Sequence, residues 1–201
     1  MKQVALTFDD GPNGEYTLQT LQILKTNDIK AAFFFPAKNV ERQPEIAKRT
    51  LEEGHLIGNH TYDHPHLSRL KPDEIRWQAE KSENIFKEVL GIKPKLFRPP
   101  YGDYNDEAKS ILEEKKYTIV DWDMDCYSRD WRDISSDEIV DIATKKAQDG
   151  SILLLHDGRN IRETGVRKNA VEALPGIIRV LRKRGFDIVR LDELLCRKQK
   201  E

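Results

Sequence analysis

Short apolar runs alternate with amphipathic segments from one end of the chain to the other. The runs predict strands at residues 3–8, 31–35, 55–59, 95–98, 118–124, 151–155 and 186–189. Between them, apolar residues at helical spacing predict helices at 16–27, 44–53, 72–90, 104–115, 136–149, 166–184 and 192–197. Seven or eight β/α units with short links predict an α/β protein with a parallel sheet, arranged either as a barrel or as a doubly wound sheet.

Helix-capping and helix-breaking residues stand at the ends of these segments. Pro72 opens the longest predicted helix, and Gly91 ends it. Ser135 or Ser136 is the expected N-cap of the helix at 136–149, whose first turn is acidic. Because no repeat, linker or low-complexity stretch divides the chain, we predict a single domain over residues 1–196, followed by a charged, frayed tail at 197–201.

Composition and charge narrow the choice of partners. The chain has 201 residues, of which 38% are hydrophobic, enough for one full core. A net charge of −1 argues against nucleic acid or an anionic membrane surface as a partner. Cys126 and Cys196 form neither a disulfide framework nor a paired metal site. Strand-like sequence begins by residue 3, and no run of about 18 apolar residues is present. We therefore expect no membrane span, and either a cytoplasmic protein or the trimmed catalytic part of a secreted or cell-surface one.

Two adjacent carboxylates follow the first predicted strand. Asp9 and Asp10 end an apolar, β-prone run, and Gly11-Pro12 then breaks the strand. Charges in this position are costly unless a cation or hydrogen-bond donors meet them. In parallel α/β proteins, sites form at the carboxyl ends of the strands. Since neighbouring strand residues point to opposite faces, both acids reach one pocket only if the strand bends here. An ordinary Asp-rich turn is the alternative.

The third predicted strand leads into a histidine-rich turn, His60-Thr61-Tyr62-Asp63-His64. Imidazoles at positions i and i+4 lie on one face of a helical turn, close enough to bind one cation. With a carboxylate they form a set that leaves positions open for water and substrate, as a catalytic metal requires. A solvated histidine-rich loop is the alternative, because His66 also lies here.

Three more polar clusters follow predicted strands. Arg98 precedes Pro-Pro-Tyr-Gly, a stiff turn whose backbone could aim an N–H at an oxyanion, and an Arg beside a carboxylate keeps it ionised. The segment 121–131 interleaves acids with Trp122 and Trp131, which suggests a wall against a sugar face. His156 ends an apolar strand and is a candidate general acid or base. The alternatives are a structural turn, an acidic loop with Trp122 in the core, and a satisfied buried histidine.

In order along the chain, these motifs resemble those of the polysaccharide deacetylase family, carbohydrate esterase family 4, with the NodB homology domain. They are Thr7-Phe8-Asp9-Asp10-Gly11-Pro12, His60-Thr61-x-x-His64, Arg98-Pro99-Pro100-Tyr101-Gly102, an Asp-Trp segment, and Leu154-Leu155-His156. The resemblance covers residues 3 to about 195 and implies a single-domain, distorted (β/α) barrel. It also implies a hydrolase that removes N-acetyl groups from N-acetylglucosamine units of a polysaccharide, such as peptidoglycan or chitin-type oligomers, and releases acetate.

The resemblance further implies a metal site and a general base. Asp10, His60 and His64 would bind a divalent metal, usually zinc, with Co2+, Ni2+ or Mn2+ as alternatives. Asp9 would be the general base, held in place by Arg98.

The remaining roles implied by the resemblance concern the oxyanion, the leaving group and the sugar. The Tyr101 backbone N–H would help to bind the oxyanion, and His156 would be the general acid. Leu154 would line the pocket for the acetyl methyl group. We expect Tyr101 and Trp131 to contact the substrate, with Tyr127 beside them in an open groove.

The fourth motif departs from the family pattern. Family members commonly carry Asp-x-x-Asp-Trp, whereas here Asp125 and Asp130 are five residues apart. We predict that Asp130 pairs with His156, raises its pKa and keeps it protonated, because Ser-Arg-Asp-Trp preserves the end of the motif. Asp125 and Asp123 are the alternatives.

Three other functions fit parts of the pattern. An esterase that removes O-acetyl groups from xylan would use the same site, and an inactive sugar-binding module would keep its metal. An iron oxygenase has the same ligand types, although its site usually lies on a β-scaffold without partners such as Arg98 and His156. The sequence names neither the glycan nor the oligomeric state, and we expect a monomer.

Overall fold

Seven parallel strands form one curled sheet in the computed structural model, which describes residues 2–132, 134–158 and 168–198. The strands are β1 (Lys2–Asp9), β2 (Ala32–Phe35), β3 (Leu56–Asn59), β4 (Leu96–Phe97), β5 (Thr118–Ile119), β6 (Ile152–His156) and β7 (Phe186–Ile188). Their order is β5-β4-β3-β2-β1-β6, and β7 pairs with β1. Because every pairing is parallel, the carboxyl ends of the strands share one edge of the sheet.

Helices connect the strands, as the alternating pattern predicted. Of the helices described, none is both long and apolar enough to cross a membrane. The helix over Ala37–Arg42 was not predicted, because six residues are too few to show a helical period. The helices are α1 (Gly14–Thr26), α2 (Ala37–Arg42), α3 (Pro44–Glu52), α4 (Pro72–Leu90), α5 (Asp106–Glu114), α6 (Ser136–Lys145), α7 (Lys168–Lys183) and α8 (Leu191–Lys198).

The segment that follows β5 returns to β6 and curls the sheet into a half-barrel. The Asp123 N–H donates to the Ile152 carbonyl at 3.0 Å, and Tyr127 forms a parallel bridge with Leu154. The surrounding helices complete the distorted (β/α) barrel that the resemblance implied, and this expectation is confirmed.

Alternate residues of β2 face two different apolar cores. Phe33 and Phe35 belong to the larger core, which includes Leu174 of α7. Phe34 points the other way and belongs to a second core with Leu191 of α8. Burying one such side chain is worth about 1.5–3 kcal/mol, so a one-residue slip in register would be strongly unfavourable. This packing fixes which side chains stand at the carboxyl ends of the strands.

Two predicted element boundaries are wrong. The strand predicted at 118–124 stops at Ile119, because Asp123 accepts a hydrogen bond from the Asp125 N–H at 3.2 Å and turns the chain into a short 3-10 helix. The helix predicted to reach 149 ends at Lys145. There Arg184 donates to the backbone carbonyls of Thr144, in the last turn of the helix, and of Ala147, in the loop that follows, in place of another helical turn.

The chain ends also differ from expectation. Arg197 and Lys198 belong to α8 rather than to a frayed tail, because Arg197 forms an ion pair with Asp149 at 2.9 Å. Residues 199–201 lie outside the described residues, as do 166 and 167 at the start of the helix predicted at 166–184. The expected cap of α6 is Ser135, which forms a capping box with Glu138.

Candidate active site

The carboxyl ends of β1, β3, β4 and β6 meet around one cleft of about 930 Å3. All predicted site residues line this cleft except Arg98 and Asp130, which are buried and contact the lining side chains directly. The lining residues are Asp9, Asp10, His60, His64, Tyr101, Gly102, Tyr104, Asp121, Trp122, Met124, Tyr127, Trp131, Leu154 and His156.

The chain turns sharply where β1 ends, and both carboxylates reach the cleft. Asp9 still pairs in register with His156 of β6, whereas Asp10 has a left-handed backbone with φ of 72°. The Asn39 side chain donates to the Asp10 carbonyl at 2.8 Å, and the Asp10 N–H donates to the Phe34 carbonyl at 3.3 Å. Aspartate tolerates this conformation better than most residues. This turn is the bend that lets both Asp9 and Asp10 reach the cleft, as the sequence analysis predicted. Asn39 on α2 stabilises the turn, and the sequence analysis did not identify it.

The His60–His64 segment is not a helical turn, which corrects that prediction. Thr61 and His64 have left-handed φ angles of 68° and 65°. The Thr61 N–H donates to Asn59 Oδ1 at 2.8 Å, and the His64 N–H donates to Thr61 Oγ1 at 3.0 Å. These side-chain acceptors replace the carbonyls that a helix would use. The two imidazoles still meet, with their Nε2 atoms 3.2 Å apart.

Asp10, His60 and His64 form a buried group whose ligand atoms lie within 4.8 Å of one another. Asp10 Oδ1 is 3.2 Å from His64 Nε2 and 3.8 Å from His60 Nε2. The Nδ1 of His60 lies 2.6 Å from the Arg98 carbonyl, which fixes the proton on Nδ1 and leaves the Nε2 lone pair facing Asp10. Burial and the neighbouring His64 lower the pKa of His60 well below its ordinary value. Two imidazoles and a carboxylate suit a divalent metal with open positions.

Arg98 is fully buried and holds Asp9. Its Nη1 donates to Asp9 Oδ1 at 2.9 Å and to Thr7 Oγ1 at 2.8 Å, and its Nε donates to the Val120 carbonyl at 3.0 Å. Its guanidinium also lies over the Phe34 ring, 4.1 Å from the centroid. Burial raises the pKa of Asp9, while the Arg98 charge acts in the opposite direction. The carboxylate is therefore both oriented and kept basic.

His156 is held by Asp130. Its Nδ1 lies 2.7 Å from Asp130 Oδ1, and its backbone N–H donates to Asp130 Oδ2 at 2.7 Å. Burial alone would lower the pKa of His156, but the Asp130 carboxylate prevails and raises it to about 9. Asp123 accepts a hydrogen bond from a serine hydroxyl and Asp125 from a lysine ammonium. Of the three candidate partners, Asp130 is therefore the one that contacts His156, as predicted.

The sequence model of the family described as polysaccharide deacetylase matches residues 1–120. This chain belongs to the polysaccharide deacetylase family. It is 39% identical over 96% of its length to a peptidoglycan-N-acetylglucosamine deacetylase of Bacillus cereus, of which it covers 68%. It is 37% identical over its whole length to the peptidoglycan-N-acetylmuramic acid deacetylase PdaC of Bacillus subtilis, of which it covers 40%.

Solved structures of similar proteins share this deacetylase fold. The crystal structure of the Bc1960 peptidoglycan N-acetylglucosamine deacetylase superposes with a TM-score of 0.89 at 38% identity, covering 96% of this chain and 87% of that one. Both the fold and the family that the motifs implied are thereby confirmed.

Aromatic side chains form the walls of the deacetylase cleft. Tyr101 is 44% exposed and has φ of 60°, a conformation that costs a non-glycine residue about 1–2 kcal/mol. Trp131 is also 44% exposed, and Trp122 lines the cleft rather than filling the core. Gly102 has φ of 64°, and a Cβ there would lie 3.0 Å from the Trp122 ring. Leu154 is buried at the base of this wall.

Tyr104 and Asp121 form a hydrogen-bonded pair in the cleft that the sequence did not predict. The Tyr104 hydroxyl donates to Asp121 Oδ2 at 2.9 Å, and both residues line the cleft. The sequence analysis included Asp121 only as one residue of the acidic segment 121–131 and gave it no role of its own. Tyr104 belongs to none of the motifs, because it lies in the turn before α5, two residues beyond the Arg-Pro-Pro-Tyr-Gly segment.

Proposed function

We propose that this polysaccharide deacetylase is a metal-dependent hydrolase that removes N-acetyl groups from N-acetylglucosamine units of peptidoglycan or chitin-type oligomers and releases acetate. One observation carries the proposal. A metal-type ligand group, a carboxylate tethered by a guanidinium and a protonated histidine face the same cleft. Metal-assisted amide hydrolysis uses these three elements together, namely a Lewis acid, a general base and a general acid.

Zinc is the metal that we propose for Asp10, His60 and His64. A bound divalent ion supplies Lewis acidity, which polarises the acetyl carbonyl and lowers the pKa of water. Two imidazole nitrogens and one carboxylate oxygen match catalytic zinc sites that keep positions open for water and substrate.

Asp9 takes the proton of the attacking water. Arg98 fixes the orientation of its carboxylate and keeps it ionised, while burial makes it more basic than an exposed aspartate. The Tyr101 N–H donates to the developing oxyanion. A donor of this kind is typically worth about 3 kcal/mol of the barrier.

His156 gives its proton to the leaving amine. A pKa of about 9 keeps the imidazole protonated at neutral pH, and the hydrogen bond to Asp130 orients the ring. Amines are poor leaving groups, so an amide needs this acid more than an ester does. Leu154 offers an apolar surface to the acetyl methyl group, and Trp131 and Tyr127 contact the sugar chain.

Acetate release from chitin oligomers, peptidoglycan and acetylated xylan, each with added zinc, tests the proposed function. We expect acetate from at least one N-acetylated glycan, loss of activity with a chelator, and recovery when zinc returns. Release from xylan alone would instead identify an O-acetyl esterase. No release from any substrate by the zinc-loaded protein would identify an inactive sugar-binding module.

A further inference from the structure

The Tyr101 ring contacts two imidazoles. One face of the ring stacks on His66, with the centroids 4.0 Å apart and the planes at 12°. The His64 ring packs against Tyr101 at 4.6 Å with a steep angle of 72°. Tyr101 lines the cleft, whereas His66 is absent from its lining. His66 therefore supports Tyr101 from outside the cleft.

His66 is itself held in place. Its Nδ1 lies 2.7 Å from Asp103 Oδ2, two residues beyond Tyr101. The Asp103 N–H donates to the Pro100 carbonyl at 3.0 Å, so the carboxylate belongs to the same tight turn as Tyr101. A hydrogen bond from Ser68 lowers the pKa of Asp103, and the His66 side chain adds to this effect. The stack and the hydrogen bond thus join the loop after β3 to the turn after β4 at two points.

The Tyr101 backbone needs such support. Its left-handed φ of 60° is unfavourable for a residue with a bulky side chain, and an unsupported turn would relax toward another conformation. Relaxation would move the Tyr101 N–H, which the proposed mechanism aims at the oxyanion. Displacements of about 1 Å at such a donor are sufficient to lower a rate substantially.

We propose that His66 and Asp103 are positioning residues that hold Tyr101 in its left-handed conformation through a ring stack anchored by a hydrogen bond. The proposal rests on the proposed deacetylase function for its kinetic effect, but not for its structural effect. It depends on the planar shape of the His66 ring rather than on its charge. His66 does not line the cleft and is not one of the proposed metal ligands.

The test compares three variants with the wild type. His66→Ala removes the stack, His66→Phe keeps a planar ring without the Nδ1 atom, and Asp103→Ala removes the anchor. Each zinc-loaded variant is assayed for kcat and KM on a chitin oligomer and for zinc content. The Tyr101 amide is followed by NMR in protein labelled with nitrogen-15 tyrosine. Only six tyrosines are present, and Tyr101→Phe assigns the signal.

We expect His66→Ala to lower kcat about tenfold, less than the about 100-fold or more that follows complete loss of an oxyanion donor. KM should stay within about twofold, because the substitution removes no contact with the bound substrate. Zinc content should stay at about one ion per chain, because the proposed metal ligands are unchanged. The Tyr101 amide signal should shift or broaden. His66→Phe should restore the signal and bring kcat to within about threefold of wild type, because the stack is retained. Asp103→Ala should show a smaller effect in the same direction.

Several results would overturn the positioning role. These are an unchanged kcat and Tyr101 signal in His66→Ala, an equal loss of kcat in His66→Phe, or a loss of zinc with His66→Ala. If His66→Ala does not fold, an unchanged Tyr101 signal in Asp103→Ala would also overturn it. A wild-type protein that releases no acetate contradicts the proposed function, while the amide signals still decide the positioning role.

Discussion

Nη1 of Arg98 lies 2.9 Å from Oδ1 of Asp9, and both side chains are buried. Removing one member of a buried ion pair leaves an uncompensated charge, which costs about 3–5 kcal/mol. The pair therefore serves two purposes, since it fixes the proposed general base and it joins the ends of β1 and β4.

Replacing Arg98 with methionine should lower the free energy of unfolding by about 3–5 kcal/mol, because the Asp9 carboxylate is then buried without its partner. Urea unfolding measures this value. The double variant Arg98→Met, Asp9→Asn should lose less than the sum of the two single variants, because the two residues are in direct contact. Additive losses would show that the two residues are not energetically coupled.

Asp9→Asn should retain zinc and lose at least about 100-fold in kcat, because an amide cannot accept the proton of the attacking water. Acetate release and zinc content measure the two effects. Asp187→Asn, on the exposed part of β7, is a matched control that should keep full activity. Wild-type turnover in Asp9→Asn would remove Asp9 from the role of general base.

His60→Ala should abolish zinc binding and activity together, because three protein ligands are the minimum for a catalytic zinc site. Zinc content after dialysis measures the loss. His66→Phe, six residues further along, should keep its zinc. Unchanged zinc in His60→Ala would mean that the ligands lie elsewhere.

Activity should fall as the pH rises through the pKa of His156, because the deprotonated imidazole cannot protonate the leaving amine. Asp130→Asn should move this alkaline limb to lower pH, since the Asp130 charge raises the pKa from 6.5 to about 9 against the effect of burial. The direction of the shift is the test, because a bound cation also acts on His156. A pH–rate profile with the limb unmoved would exclude Asp130 as the residue that sets this pKa.

The same pair links folding stability to pH. His156 has a raised pKa in the folded state, so its contribution to stability is fully present below 6.5 and is lost as the pH rises toward about 9. The free energy of unfolding should therefore decrease over this range in the wild type. It should decrease less in Asp130→Asn, and an identical decrease in both proteins would contradict the assignment.

The sequence was sufficient to predict those site residues that are recognised by their type and by their position at the end of a strand. Asp9 and His156 each stand at the end of an apolar run, so strand ends could be read directly, and the parallel sheet brought those ends together. The contact between Asp130 and His156 also agrees with the prediction, although the motif spacing departs from the family pattern.

What could not be predicted depends on backbone conformation and on long-range packing. Asp10 and His64 have left-handed backbone conformations, but neither is a glycine, so the sequence does not indicate these turns. The turns are stabilised instead by side-chain hydrogen bonds, one donated by Asn39 and one accepted by Thr61 Oγ1. The stack of His66 on Tyr101 joins loops that are distant in the chain. Local periodicity carries no information about contacts of this kind.

The Tyr127–Leu154 bridge attaches the segment with Trp122, Tyr127 and Trp131 to β6, whereas the proposed metal ligands follow β1 and β3. The proposed binding of the cation and the proposed recognition of the glycan therefore depend largely on different segments of the chain. Exchanging the surface side chains of residues 121–131 for those of another deacetylase should redirect preference among glycans and leave the zinc content as it was.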